Sequence, residues 1–172
     1  MKKTLFIIFM IISLAAALCI TVGCTQQAIN SELEELKAQA EIEAQNIEAV
    51  YRWLKARNEG KIEKIINEGM FDPNAVYHGT SQLDIPLIEN YISQNDIPHS
   101  EAVRSIEPIL AKGDKVAFRY LVNVNSRGRE IKVEAIHILR FVDGKIVETW
   151  SVEDSFGFAK QLGWDIDYKQ EK

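Results

Sequence analysis

A chain of 172 residues, 47% hydrophobic and with a formal charge of −5, can bury one sizeable core but is too short for two comfortable domains. Its Lys and Arg form no stripe long enough to follow a phosphate backbone, which argues against a nucleic-acid partner. Its two cysteines, Cys19 and Cys24, lie close to the amino terminus, so the rest of the chain contains neither a disulfide nor a cysteine nucleophile.

Lys2 and Lys3 precede the apolar run Leu5–Gly23, which ends in small residues before Cys24 and a polar stretch. This order resembles a lipoprotein signal peptide, with a basic region, an apolar region and a cysteine behind small residues. The resemblance implies that Cys24 becomes the first mature residue, carries lipid (diacylglycerol thioether and palmitate-type acylation) and anchors the protein at a membrane. An uncleaved signal anchor is the alternative, because ~18 apolar residues can cross a bilayer. Cleavage would remove residues 1–23 and leave 149; Lys2 and Lys3 would leave with no acid, moving the charge to −7. Thr25 after the cysteine resembles the pattern sorted to the outer membrane where the host has two membranes, and an extracytoplasmic face in either case.

A polar tether follows. From Ser31, with Glu34 in capping-box register, a helical pattern runs to about Arg57. Its apolar positions Leu33, Leu36, Ala40, Ile47, Val50 and Leu54 are interrupted by Glu43. The stripe suits either a coiled coil or a helix lying on its own domain, the latter at least from Ile47 onward. Ile62, Ile65 and Ile66 mark a short second helix closed by Gly69, and the stretch 73–79 reads as a strand. Leu87, Ile88, Tyr91 and Ile92 have helical spacing, with Pro86 placed at the helix start and Pro98 breaking it.

Strands are predicted at Ser105–Leu110, Val116–Val124, Ile131–Val142 and Lys145–Glu153, with Asp143-Gly144 a strong two-residue hairpin signal. In the third, Ile131, Val133, Ala135, His137, Leu139 and Phe141 alternate with Lys132, Glu134, Ile136, Ile138 and Arg140. Phe156, Phe158, Leu162 and Trp164 form an apolar tail expected to close over the sheet. The class is α+β, a helical layer against one antiparallel sheet.

With these elements in place, the stretches "VYRWLKARNEGKIEKI", "AVYHG", "IEPILAKGDKVAFRYLV" and "HILRFVDGKIVETWSVEDSFGFAKQLG" resemble the SnoaL-like (polyketide cyclase and ester cyclase-like) branch of the NTF2-like superfamily. The resemblance covers about Ala44 to Gly163. It implies an NTF2-like cone, amino-terminal helices packed on a strongly curved antiparallel sheet, with a pocket for a small apolar or carbonyl-bearing molecule inside. The expected organisation is a signal peptide at 1–23, a lipid-anchored tether and helical extension at 24–43, the SnoaL-like domain at 44–165 and a polar tail at 166–172. Cofactor-free acid/base chemistry of the ester-cyclase or isomerase type is implied, with Asp154, His137 and His78 as catalytic positions. Sheet-to-sheet dimers are common in the superfamily, and Ile136 and Ile138 would suit a homodimer. Non-catalytic ligand binding and a dimeric structural lipoprotein are the competing readings, since one fold hosts many functions.

The residues themselves bear on these roles. His137 interrupts an apolar face, where a buried ring needs a partner. A two-residue turn at Asp143-Gly144 would pair Val142 with Lys145 and set His137 opposite Trp150, making an imidazole–indole pocket wall. A core His bonded to Tyr120 or a carbonyl is the alternative. The same register puts Asp154 opposite Val133, about 13 Å from His137, so a direct dyad needs a bulge. Asp154 capping a helix that starts near Ser155 is the competing role. Tyr120 shares a face with Phe118 and Val122 and is expected to line the pocket, while Tyr51 and Trp53 are expected as core or lid residues beside it. The three histidines show no ligand spacing for a metal, and no glycine-rich phosphate loop is present, so neither metal nor cofactor is expected.

Overall fold

The computed structural model describes residues 2–79, 87–95, 97–98, 101–126 and 128–163. Pro86, Trp164 and the tail 166–172 lie outside the described residues, as does the side chain of Cys24. The described elements are α1 (Lys2–Asn58), α2 (Ile62–Asn67), β1 (Phe71–Gly79), α3 (Leu87–Gln94), β2 (Ala102–Lys112), β3 (Lys115–Ser126), β4 (Arg129–Val142), β5 (Lys145–Glu153) and α4 (Ser155–Leu162). The chain divides into two compact units, Met1–Glu41 and Ile42–Lys172.

In the first unit the helix does not begin at Ser31. That residue sits inside α1, because no Gly or Pro between Thr25 and Ser31 interrupts the helical backbone. Ile29, Leu33 and Leu36 are exposed along it, and Lys37 bridges Glu34 one turn away.

In the second unit the remaining turns of α1 pack on the domain's own sheet, as the spacing from Ile47 predicts. Ala49, Val50 and Trp53 are buried in the core. Glu43, the break in the stripe, accepts a hydrogen bond from the Gly113 N–H at 2.7 Å in the β2–β3 turn. The Asn58 side chain at the helix end bonds both the N–H and the C=O of Arg104 at 2.9 Å, tying α1 to β2.

The five strands lie in the order β1-β5-β4-β3-β2, with β1 parallel to β5 and the other pairs antiparallel. This corrects the expected cone. The sheet is open, with β1 and β2 as separate edges, and it is neither closed nor strongly curved. The β3–β4 pairing, Lys115 with Arg140 through Ser126 with Arg129, is matched without a register shift, and the local shifts in the other three pairings leave β1 and β2 unpaired with each other. The helical layer buries the inner face without bringing the edges together.

Alternation along β3 and β4 divides the faces. Val116, Phe118, Tyr120, Val122 and Val124 point inward with Ile131, Val133, Ala135, His137, Leu139 and Phe141, all buried. Ile88 and Ile92 from α3 and Phe158 from α4 complete that core. The outer face carries Ile136, 52% exposed, and Val152, 60% exposed, beside the Arg119–Glu134 and Arg140–Glu148 ion pairs, both at 2.6 Å. Asp143 and Gly144 both have positive φ, the backbone of a two-residue type I′ hairpin.

Candidate active site

One register shift decides which side chains meet. The hairpin starts as predicted, with Val142 opposite Lys145 and Phe141 opposite Ile146, but Arg140 lies opposite Glu148. Val147 is the extra residue, a β-bulge that moves every later position of β5 to the other face. His137 therefore faces Ser151, and Trp150 faces Ile138 on the outer side. The expected imidazole–indole wall is not formed.

The three positions expected to be catalytic lie in three different surroundings. His137 is on the inner face and 3% exposed. His78 is on β1, beside Trp150 in the parallel β1–β5 pairing. Its ring stacks on the Trp150 indole at 5.1 Å, and its Nε2 lies 3.7 Å from Glu148 on the outer side. Asp154 is exposed and caps α4, accepting the Gly157 N–H at 2.8 Å. A Cβ at Gly157 would collide with that carboxylate, so glycine there lets the cap close. Of the expected pocket residues, Tyr120 and Trp53 join His137, while Tyr51 is 44% exposed and Trp150 is on the far face.

Around His137 the inner face is aromatic. Phe118 stacks on the imidazole at 5.4 Å, Tyr120 meets it edge-on at 5.2 Å and Trp53 lies at 6.3 Å. Burial, helped by the nearby Arg57 charge and opposed by Glu89, pushes the His137 pKa down to about 4, so the ring is neutral near pH 7. Its Nε2 is buried with no hydrogen-bond partner among the described residues, and so is Ser151 Oγ opposite.

Below this ring lies an ion-pair network that sequence reasoning missed. Arg104 donates to Glu89 in a two-point fork, Nε at 2.8 Å and Nη2 at 2.9 Å. The Tyr120 hydroxyl donates to the same carboxylate at 2.7 Å, and Arg57 lies 3.2 Å from it with its guanidinium over the Trp53 ring. Burial alone would raise the Glu89 pKa, but the Arg104 hydrogen bonds and the Arg57 charge hold it down at about 2. Burial and the Glu89 charge raise the Tyr120 pKa well above that of a free phenol. Glu89 is thus a fixed anion and Tyr120 a fixed donor.

The signals for this network were present but faint. Arg104 alternates with buried Ala102 and Ile106, and it would have been placed inside had the strand been started at Ala102 rather than Ser105. Glu89 lies three residues before buried Ile92 on the same helix. Among the described residues no cluster of His, Cys, Asp and Glu is arranged to hold a metal ion.

The SnoaL-like polyketide cyclase family matches residues 47–162. Among solved structures, the chain is similar to a Bacillus cereus ATCC 10987 protein described as a candidate polyketide cyclase, at 28% identity and a TM-score of 0.58, covering 71% of this chain and 83% of that one. It is also similar to AclR, described as a candidate hydroxylase from Streptomyces galilaeus, at 26% identity and a TM-score of 0.55, covering 73% and 97%. A loop-truncation variant of IdmH shares the fold at 24% identity and a TM-score of 0.56, covering 69% and 99%. No curated protein matches. The match over residues 47–162, on a fold shared with these structures, places this chain in the SnoaL-like polyketide cyclase family.

Proposed function

We propose that this chain is a lipid-anchored, extracytoplasmic SnoaL-like protein that takes a small, flat, carbonyl-bearing molecule at His137 and acts on it by cofactor-free acid/base chemistry. The observation that carries this reading is the pair His137 Nε2 and Ser151 Oγ, both buried and both without a partner among the described residues. An unsatisfied buried polar group costs about 1–3 kcal/mol, and two such atoms on one aromatic face are suited to a ligand carbonyl flanked by apolar surface. Neutral His137 and the Ser151 hydroxyl supply hydrogen-bonding groups without a charge that would need water.

Anchoring rests on the order Lys2-Lys3, apolar run, Cys24. Non-catalytic binding is the second reading, favoured by the state of Glu89: Arg104, Arg57 and Tyr120 already engage its carboxylate, so it is not free to serve as a base. Native mass spectrometry of the protein purified from its own host tests the site. A retained carbonyl-bearing molecule that is lost in His137→Asn supports it. An empty wild-type protein, with no carbonyl compound shifting its mass, removes the ligand reading.

A further inference from the structure

We propose that the groove between α1 and the β4–β5 turn is a second binding site, one that takes a short zwitterionic peptide. A cavity of about 550 Å³ lies there, wholly within the second unit and within the range of small-ligand pockets, ~300–1,000 Å³. One wall is a single face of α1, with Ile42, Asn46, Ala49 and Arg52 at helical spacing. The other is the turn at Asp143 and Gly144. Arg52 and Asp143 also line an adjoining cavity of about 270 Å³ with Ile65 and Met70, so the two cavities meet at this pair and form one elongated trough. The turn lies about 17 Å along β4 from His137, and neither His137 nor Ser151 lines either cavity.

Asn46 is the central residue. It lines the cavity and is 5% exposed, yet its Nδ2 is buried with no hydrogen-bond partner among the described residues. A buried donor is unfavourable until an acceptor meets it, and a peptide carbonyl is a neutral acceptor of the right kind. Glu48, which also lines the cavity, precedes Arg52 by one helical turn, the order and spacing that favour an ion pair. Even so, no ion pair joins Glu48, Arg52 or Asp143 to any described residue.

One guanidinium and two carboxylates in the same trough disfavour a simple dianion or dication and match a molecule that carries both charges. Arg52 donates a two-point fork to the peptide's terminal carboxylate. The terminal ammonium donates to Asp143 or Glu48, Asn46 Nδ2 donates to an amide carbonyl, and Ile42 and Ala49 cover a small side chain. An elongated trough suits an extended chain, and two to four residues reach about 7–14 Å.

The test titrates the full chain in detergent with di-, tri- and tetra-alanine, each free or acetylated and amidated at its ends, by isothermal titration calorimetry. At least one free peptide is expected to bind, and blocking its ends to weaken binding about tenfold or more. Arg52→Gln and Asp143→Asn are each expected to weaken it about 10–100-fold, and Asn46→Ala about tenfold. Arg52 and Asp143 are exposed, and asparagine tolerates the positive φ of the turn, so these two variants keep the fold and decide the matter should Asn46→Ala unfold. Arg119→Gln on the outer face is expected to bind as wild type. No binding by any free peptide overturns the proposal. Equal binding of blocked and free peptides overturns the zwitterionic class, and undiminished binding in Arg52→Gln, Asp143→Asn or a folded Asn46→Ala overturns the site.

Discussion

Ser151 lies directly opposite His137 across the β4–β5 ladder, and Ser151 Oγ and His137 Nε2 are each buried without a partner among the described residues. If a ligand is what satisfies them, the empty domain gains nothing from the hydroxyl. Ser151→Ala is then expected to leave the empty domain as stable or stabilise it by about 1 kcal/mol, while reducing the amount of ligand retained on purification. Urea denaturation and native mass spectrometry read the two effects. A loss of stability of several kcal/mol would mean that the hydroxyl serves the fold.

The Glu89 network predicts a strong asymmetry between single and paired substitutions. Glu89→Ala leaves Arg104 and Arg57 with no counter-charge in the core and is expected to destabilise by about 3–5 kcal/mol. Replacing Glu89 and Arg104 together with apolar residues of similar volume is expected to recover most of that loss. Equal effects in the double and single variants, measured by chemical denaturation, would show that the pair is not coupled.

Acid should weaken the domain in two windows. The folded-state pKa of His137 is about 4, below the ordinary imidazole value, so protonation favours the unfolded chain and stability falls as pH drops from about 6.5 toward 4. At full extent this amounts to about 3 kcal/mol. The folded-state pKa of Glu89, about 2, is likewise depressed, and its contribution is lost between about 4.5 and 2. His137→Phe is expected to remove the upper window and keep the lower one in stability measured against pH. An unchanged upper window would assign it to other groups.

The Asp154 cap makes a local prediction. Asp154→Ala removes the acceptor for the Gly157 N–H and should cost about 1 kcal/mol, whereas Asp154→Ser should cost much less. Thermal melts of the two variants distinguish a capping side chain from one that contributes nothing to stability.

Anchoring is checked at Cys24. Cys24→Ser is expected to abolish metabolic labelling with palmitate and to shift the protein from the membrane fraction to the soluble fraction. Labelling that persists in the variant would rule out Cys24 as the attachment point.

The order of elements was legible in the chain. The predicted strands and short helices of the second unit are found within a few residues of their expected bounds, because period-two and helical apolar spacing reflect burial directly. His137 and Tyr120 were correctly placed on an inward face by the same alternation, and the Asp143-Gly144 turn was fixed by local chemistry. Three things depended on tertiary structure. Val147 has nothing in its side chain that marks a bulge, yet that one residue sends Trp150 outward and Ser151 and Glu153 inward, because strand faces invert with a shift of one. The Glu89–Arg104 fork joins a helix to an edge strand, and charged residues hide inside a pattern read by apolar spacing. The sheet stays open because β1 and β2 do not pair, and whether two edges meet depends on how all five strands are arranged, which no single strand encodes.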